Sequence, residues 1–177
     1  MPEESNSSHQ YNVVKIGSLK YEFITDQHIA YEAYFSTSEG YFPDHPEFDH
    51  HILSFTFGPV GIAGEARLLS KDERFGLAKQ IDPRVKKTIQ YLLADSLKST
   101  SVQGIIVICD THKGRDKCRH RLFDLWFKEA LNIVEFGVSK YDSDLAGLGI
   151  GSIFVKNDWE HHQAIKTSFL SLSESEK

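Results

Sequence analysis

Apolar and polar positions alternate with a period of two through much of the first third of this 177-residue chain. Ile29, Tyr31, Ala33 and Phe35 stand one residue apart, which predicts a half-buried strand over 29–35. The same period carries Leu19, Tyr21 and Phe23 between Lys20 and Glu22, and Leu53, Phe55 and Phe57 between Ser54 and Thr56. A strand at 12–16 leads into the second of these through Gly17-Ser18, read as a two-residue hairpin turn with glycine first. Residues 36–49 hold two prolines and a glycine and read as a loop, and the fourth strand is expected to end at Gly58-Pro59. The first four strands are expected as an antiparallel meander.

After residue 80 the period lengthens. Asp82-Pro83 is a helix start, an N-cap residue followed by proline at the first helical position. Val85, Ile89, Leu92, Leu93 and Leu97 continue an amphipathic helix to about residue 98. Residues 105–109 are then continuously apolar between Gly104 and Asp110, as in a central strand covered on both faces. Over 116–131 the apolar residues Leu122, Phe123, Trp126, Phe127, Ala130 and Leu131 form a helical stripe, with Trp126 at its middle and expected in the core. Strands are predicted at 133–141 and 148–156, joined by a polar 142–147. Asn157-Asp158 is read as capping a last helix with the stripe Trp159, His162, Ile165, Phe169 and Leu172. Residues 60–80, interrupted by Gly61, Gly64 and Gly76, predict only a long connection with a short helical piece. The order β-β-β-β-α-β-α-β-β-α makes an α+β fold, one mixed sheet with helices packed on it. One domain is expected over 11–172, with tails at 1–10 and 173–177. If the strands at 53–57 and 104 are parallel, the helical crossover between them should be right-handed.

Composition narrows the function classes. With 40% hydrophobic and 12% aromatic residues the chain is that of a globular protein. A formal net charge of −5 argues against a dedicated nucleic-acid binder. No stretch is long and apolar enough to span a bilayer, and the opening MPEESNSSHQ does not read as a signal peptide. Cys109 and Cys118 are the only cysteines, which suits reduced thiols in a cytoplasmic protein.

Against that acidic background, the turn between the central strand and its helix is basic. Lys113, Arg115, Lys117, Arg119 and Arg121, with His112 and His120, follow Asp110. In open α/β sheets ligands collect beyond the carboxyl ends of strands, beside helix N-termini. Asp110, Lys113, Arg115, Lys117 and Arg119 are therefore the candidate ligand-binding residues, for a phosphate or carboxylate held by bidentate contacts. At about 100° per residue, Arg115 and Arg119 fall on the apolar stripe in line with Leu122 and Trp126, while Lys113, Lys117 and Arg121 face away. Arginines on the buried side need partners. The preferred reading ties Arg115 and Arg119 into the fold through Asp110 and another acidic side chain.

Other clusters carry less. Asp44, His45, Asp49, His50 and His51 match no zinc spacing, and no metal is expected there. Cys109, with Asp110 and His112 near in sequence, could be a nucleophile, but alternation puts it on the buried face, where cysteine serves as a small hydrophobe. The aromatics Tyr21, Phe23, Tyr31, Tyr34, Phe35, Tyr41, Phe42 and Phe48 could stack bases on an exposed sheet, yet alternating rings on a meander are expected in the core.

Several pieces together resemble an uncharacterised bacterial family, a domain of unknown function. They are Tyr21-x-Phe23-x-Thr25 with Tyr31-x-x-x-Phe35, Asp82-x-Arg84-Val85-x-x-Thr88-Ile89, Ile106-x-Ile108-Cys109-Asp110, Gly114-Arg115 with Leu122-Phe123-x-x-Trp126-Phe127, and Lys140-Tyr141-Asp142. The resemblance implies a small soluble bacterial protein and supplies no catalytic residues. A weaker topological likeness is to the N-acetyltransferases. Their pyrophosphate loop, Arg/Gln-x-x-Gly-x-Gly/Ala, is approached only by 61–66, with Gly61 where Arg or Gln should stand. The leading expectation is a non-enzymatic interaction module for a protein or a small anionic ligand, with no cofactor. The alternative is a transferase-like enzyme binding coenzyme A or a nucleotide at 110–121, so whether the protein is an enzyme stays open.

Overall fold

The computed structural model describes residues 10–78, 82–109, 116–131, 137–145 and 148–173. Its strands are β1 (Val14–Lys15), β2 (Lys20–Ile24), β3 (Ile29–Thr37), β4 (Ile52–Ile62), β5 (Gly104–Cys109), β6 (Val138–Leu145) and β7 (Gly149–Lys156). The helices are α1 (Lys71–Ala78), α2 (Pro83–Lys98), α3 (Asp116–Leu131) and α4 (His162–Ser171). All seven strands join one mixed sheet in the order β1-β2-β3-β4-β5-β7-β6. β4 and β5 are parallel, whereas β1–β2, β2–β3, β5–β7 and β6–β7 are antiparallel. This is the expected α+β fold.

The described chain forms two compact units, one running to Tyr34 and from Phe57 to Leu92, the other from Phe35 to Thr56 and from Leu93 onward. In the first unit, burial follows the two-residue period: Phe23, Ile29, Tyr31 and Ala33 are buried, while Glu22 and Ile24 are exposed. Tyr11, Phe23 and Tyr31 stack in a column, with centroids 5.9 Å and then 5.1 Å apart and rings within 12° of parallel. Tyr11 also fastens the start of α2. Its backbone N–H donates to Thr88 Oγ1 at 2.8 Å and its hydroxyl donates to Asp82 Oδ2 at 2.7 Å. Asp82 caps α2 as its sequence signalled, Oδ1 accepting from the Arg84 N–H at 2.8 Å with Pro83 in the first turn.

The second unit is layered. On one face of its strands Phe42, Phe48, Ile52, Ile106, Leu145, Ile153, Val155, Ile165 and Phe169 form a continuous core that includes the inner side of α4. On the other face Phe127 of α3 packs on Phe154 of β7, ring centroids 4.6 Å apart. β5 lies between the layers, and five of its six residues are buried. Gly104 opens it because a Cβ there would stand 2.7 Å from the Phe154 carbonyl oxygen and 2.8 Å from Ile52 Cδ1.

Several boundaries differ from the sequence reading. The β1–β2 turn has three residues, since Lys15 pairs with Tyr21 and the Ile16 N–H reaches Lys20 O; Gly17 does not take the positive φ that a primed turn beginning with glycine needs. β4 runs through Gly58-Pro59 to Ile62. A strand tolerates a proline where no ladder bond is asked of it, and β5 pairs with β4 only over Ile52–Phe55. The expected linker at 142–147 is largely strand, because Asp142–Leu145 continue β6 in register with β7. The last helix starts at His162, with Trp159 in the turn before it. Within 60–80, Ser70 and Glu73 make a reciprocal capping box at the start of α1: the Glu73 N–H donates to Ser70 Oγ at 3.3 Å and the Ser70 N–H to Glu73 Oε2 at 2.8 Å. Residues 61–66, the nearest approach to a pyrophosphate loop, run from the end of β4 into a turn at Gly64, which has φ 87°, and no helix begins there. Of the expected tails at 1–10 and 173–177, all but residues 10 and 173 lie outside the described residues, as does the start of the strand predicted at 133–141.

On α3 the core anchor is Phe127, 3% exposed, and not Trp126, which is half-buried against the edge of Phe123. Phe127→Ala should therefore lower the unfolding free energy by about 3–5 kcal/mol, and Trp126→Ala by clearly less. Urea denaturation of both variants checks the order, and a larger loss at Trp126 would contradict this packing.

Candidate functional site

Of the candidate residues in the basic turn, Asp110, Lys113 and Arg115 lie outside the described residues, as does His112. Lys117 and Arg119 fall in the first turn of α3, but their side chains also lie outside what is described. The first described side chain of that helix is His120, and it leads to a polar site.

β6 and β7 pair so that Asp142 stands opposite Ser152 and Lys140 opposite Phe154. Alternation sends Lys140, Asp142, Ser152 and Phe154 to the face that α3 covers. Helical spacing places His120, Asp124 and Phe127 on one side of α3, so that Phe127 meets Phe154 while the two polar residues meet the two strands. Ser152 Oγ donates to Asp142 Oδ1 at 2.6 Å. His120 Nε2 lies 3.1 Å from Asp142 Oδ1 and 3.2 Å from Ser152 Oγ. The Lys140 ammonium reaches Asp142 Oδ2 at 2.8 Å and Asp124 Oδ1 at 2.7 Å. Asp124 is also bridged at 2.8 Å by Lys128, one helical turn on.

Burial grades across the site. Ser152 is 4% exposed, and the Lys140 and His120 side chains are 15% and 19% exposed, whereas the Asp142 side chain is 44% exposed. Partial burial works to raise the Asp142 pKa, but hydrogen bonds from Lys140, Ser152 and His120 together outweigh it and hold the carboxyl below its ordinary range. Asp124 is lowered as well, by its hydrogen bonds to Lys128 and then Lys140. Each ammonium is thus matched to a carboxylate, and the buried serine hydroxyl has an acceptor.

Serine, histidine and aspartate in contact invite comparison with an acyl-transfer triad, which needs the hydroxyl on one imidazole nitrogen and the carboxylate on the other. Here both partners meet the same nitrogen, and the hydroxyl donates to the carboxylate itself. The set therefore lacks the relay that would make Ser152 a nucleophile.

The sequence reading quoted Lys140 and Asp142 only within the Lys140-Tyr141-Asp142 piece of the family resemblance, and it proposed none of Asp142, Ser152, Lys140 and Asp124 for a site. One signal was available: Ser152 interrupts an otherwise apolar strand, and a buried hydroxyl needs a partner. That the partner is Asp142 depends on the β6–β7 register. The other weighed groups are placed as follows. His45 Nδ1 lies 2.9 Å from Glu47 Oε1, and His51 Nδ1 lies 3.0 Å from Ser101 O. Among the described residues no three of His, Cys, Asp and Glu come close enough to hold a metal ion. Cys109 is 3% exposed. Of the weighed aromatics, Phe23, Tyr31, Phe35, Phe42 and Phe48 are buried and Tyr34 is 41% exposed.

A family model described as a family of unknown function matches residues 81–169, half of the chain, taking in α2, β5, α3, β6, β7 and most of α4. No curated protein matches the sequence. No helix among the described residues is long and apolar enough to cross a membrane.

Stability should follow the two carboxylates. Both have depressed pKa values in the folded state, so their contribution is complete above the unfolded value of about 4 and is lost as pH falls through the folded values. Asp142→Asn keeps an acceptor for Ser152 and cannot titrate. Its melting temperature should fall less than that of the wild type between pH 5 and pH 2; parallel curves would show that the Asp142 bonds contribute nothing.

Proposed function

The chain belongs to this family of unknown function, DUF6169, and we propose that it is a soluble, cytoplasmic bacterial protein that works by binding a protein or ligand without chemical turnover. The observation that supports this reading is the closure of the His120–Asp142–Ser152–Lys140–Asp124 network. Catalytic groups carry unspent hydrogen-bonding capacity toward a substrate. In this site the Ser152 hydroxyl, the Lys140 ammonium and His120 Nε2 all turn to the Asp142 and Asp124 carboxylates, and the one potential oxygen nucleophile is buried. The network holds α3 on the sheet and leaves recognition to the surfaces around it.

A second reading keeps anion binding at the turn before α3. It is supported by sequence order: β5 ends at Cys109 and α3 starts at Asp116, so the basic sequence links the carboxyl end of a strand to the N-terminus of a helix, and Lys117 and Arg119 belong to the first turn of that helix. On this reading Asp110, Lys113, Arg115, Lys117 and Arg119 would take a phosphate-bearing ligand such as coenzyme A or a nucleotide.

Treatment with a fluorophosphonate serine reagent, followed by peptide mass spectrometry, tests the first reading. Ser152 should stay unmodified in the wild type. Modification of Ser152 that disappears in His120→Ala would overturn it. The same protein scanned with millimolar phosphate or coenzyme A should keep its melting temperature; a rise that Arg119→Ala abolishes would move the function to the basic turn.

A further inference from the structure

The start of α2 and the β2–β3 turn enclose a cleft of about 250 Å³ in the first unit. Its apolar wall is formed by Ile29, Leu77, Pro83 and Val85, and Thr25, Gln27, Tyr31 and Asp82 supply its polar atoms. None of these residues belongs to the His120 network or to the basic turn. The volume lies just below the 300–1,000 Å³ usual for drug-sized ligands, which suits a molecule of about ten non-hydrogen atoms.

Two of the polar groups are arranged toward a guest. Tyr31 is 5% exposed, with its ring face fixed by stacking on Phe23, and its hydroxyl has no hydrogen-bond partner among the described residues. Burial first, and then the charge of Asp82, push this phenol up to about 12, so it remains a donor at every ordinary pH. The hydroxyl is not among the buried atoms left without a partner; it opens onto the cleft, where a guest can take its hydrogen bond in place of water. Asp82 supplies acceptors. Each of its oxygens already takes one donor, the Arg84 N–H on Oδ1 and the Tyr11 hydroxyl on Oδ2, and a carboxylate oxygen has capacity for a second. Thr25 is partly spent, its Oγ1 accepting from the Ile29 N–H at 3.1 Å, and Gln27 is exposed at the rim.

Charge selects among guests. The partial positive charge of the α2 N-terminus and the two donors already offset Asp82. The Arg84 guanidinium is engaged by Asp26 at 2.7 Å and lies 4.0 Å from the centre of the Tyr11 ring. An anion would meet the Asp82 carboxylate, and a cation would face the helix N-terminus. A neutral group presenting one acceptor and one donor side by side fits both Tyr31 and Asp82. We propose that this cleft binds a small neutral carboxamide, its carbonyl accepting from the Tyr31 hydroxyl, its N–H donating to Asp82 and its apolar body lying against Ile29, Leu77, Pro83 and Val85.

Benzamide is the probe, with benzoate and benzylamine as its anionic and cationic counterparts. Calorimetry or ligand-observed NMR should detect benzamide binding to the wild-type chain, more tightly than either counterpart. Tyr31→Phe keeps the ring stack, and Asp82→Asn keeps a good N-cap, so both variants should fold, and each should weaken benzamide binding roughly tenfold or more. Absence of benzamide binding, wild-type affinity in either variant, or tighter binding of benzoate or benzylamine would each overturn the proposal. The fluorophosphonate result at Ser152 is independent of all three, so either reading can fail while the other stands.

Discussion

The second unit is organised by a polar debt on an otherwise apolar sheet face. Ser152 lies on β7, flanked along its own face by Phe154, and its hydroxyl is buried. Lys140 on the adjoining β6 has a side chain 15% exposed. A buried hydroxyl or ammonium without a partner costs several kcal/mol, so these residues constrain what can cover the face. Asp142 satisfies both from within the sheet, and α3 completes the set with His120 and Asp124. Phe127 then fixes the same helix through apolar contact with Phe154. Polar and apolar contacts at i, i+4 and i+7 act on one stripe and agree on one placement of α3.

The same economy appears at the end of β7, two residues past Phe154. Lys156, 8% exposed, sends its ammonium to the Ser99 carbonyl at 2.8 Å, just past the end of α2. Burial lowers its pKa, while the carbonyl end of the helix offers a site that favours a cation. β6 is an edge strand and carries Lys140, Asp142 and Asp144. Charged side chains there also discourage another strand from adding to the sheet. The residues that fasten α3 thus help protect the edge on which they stand.

Much of this architecture was legible because period reports burial directly. Ile29, Tyr31, Ala33 and Phe35 alternate in the sequence and are all buried, and Asp82-Pro83 starts α2 because its cap chemistry is local. Features that depend on a partner were not legible. Pro59 looked like the end of β4 because the reach of β5 along that strand is a tertiary fact. Asp142–Leu145 looked like a linker because their polarity belongs to an edge strand. Trp126 and Phe127 are adjacent on one stripe, and only the position of Phe154 selects Phe127. The capping box at Ser70 and Glu73 was local, but Gly76 masked the short helix it opens. At the site, His120 was visible only as one of seven basic residues, and its pairing with residues 22 and 32 positions away requires the β6–β7 register.

The account stands on His120 and Asp142 acting as a structural pair, and a double-mutant cycle measures that pairing directly. His120→Ala, Asp142→Ala and the double variant would be unfolded in urea at neutral pH and low salt. Because Asp142 is partly exposed, the predicted coupling is modest, at about 0.5–1 kcal/mol, with both single variants less stable than the wild type. Strictly additive losses, or single variants as stable as the wild type, would contradict a network that holds α3 to the sheet.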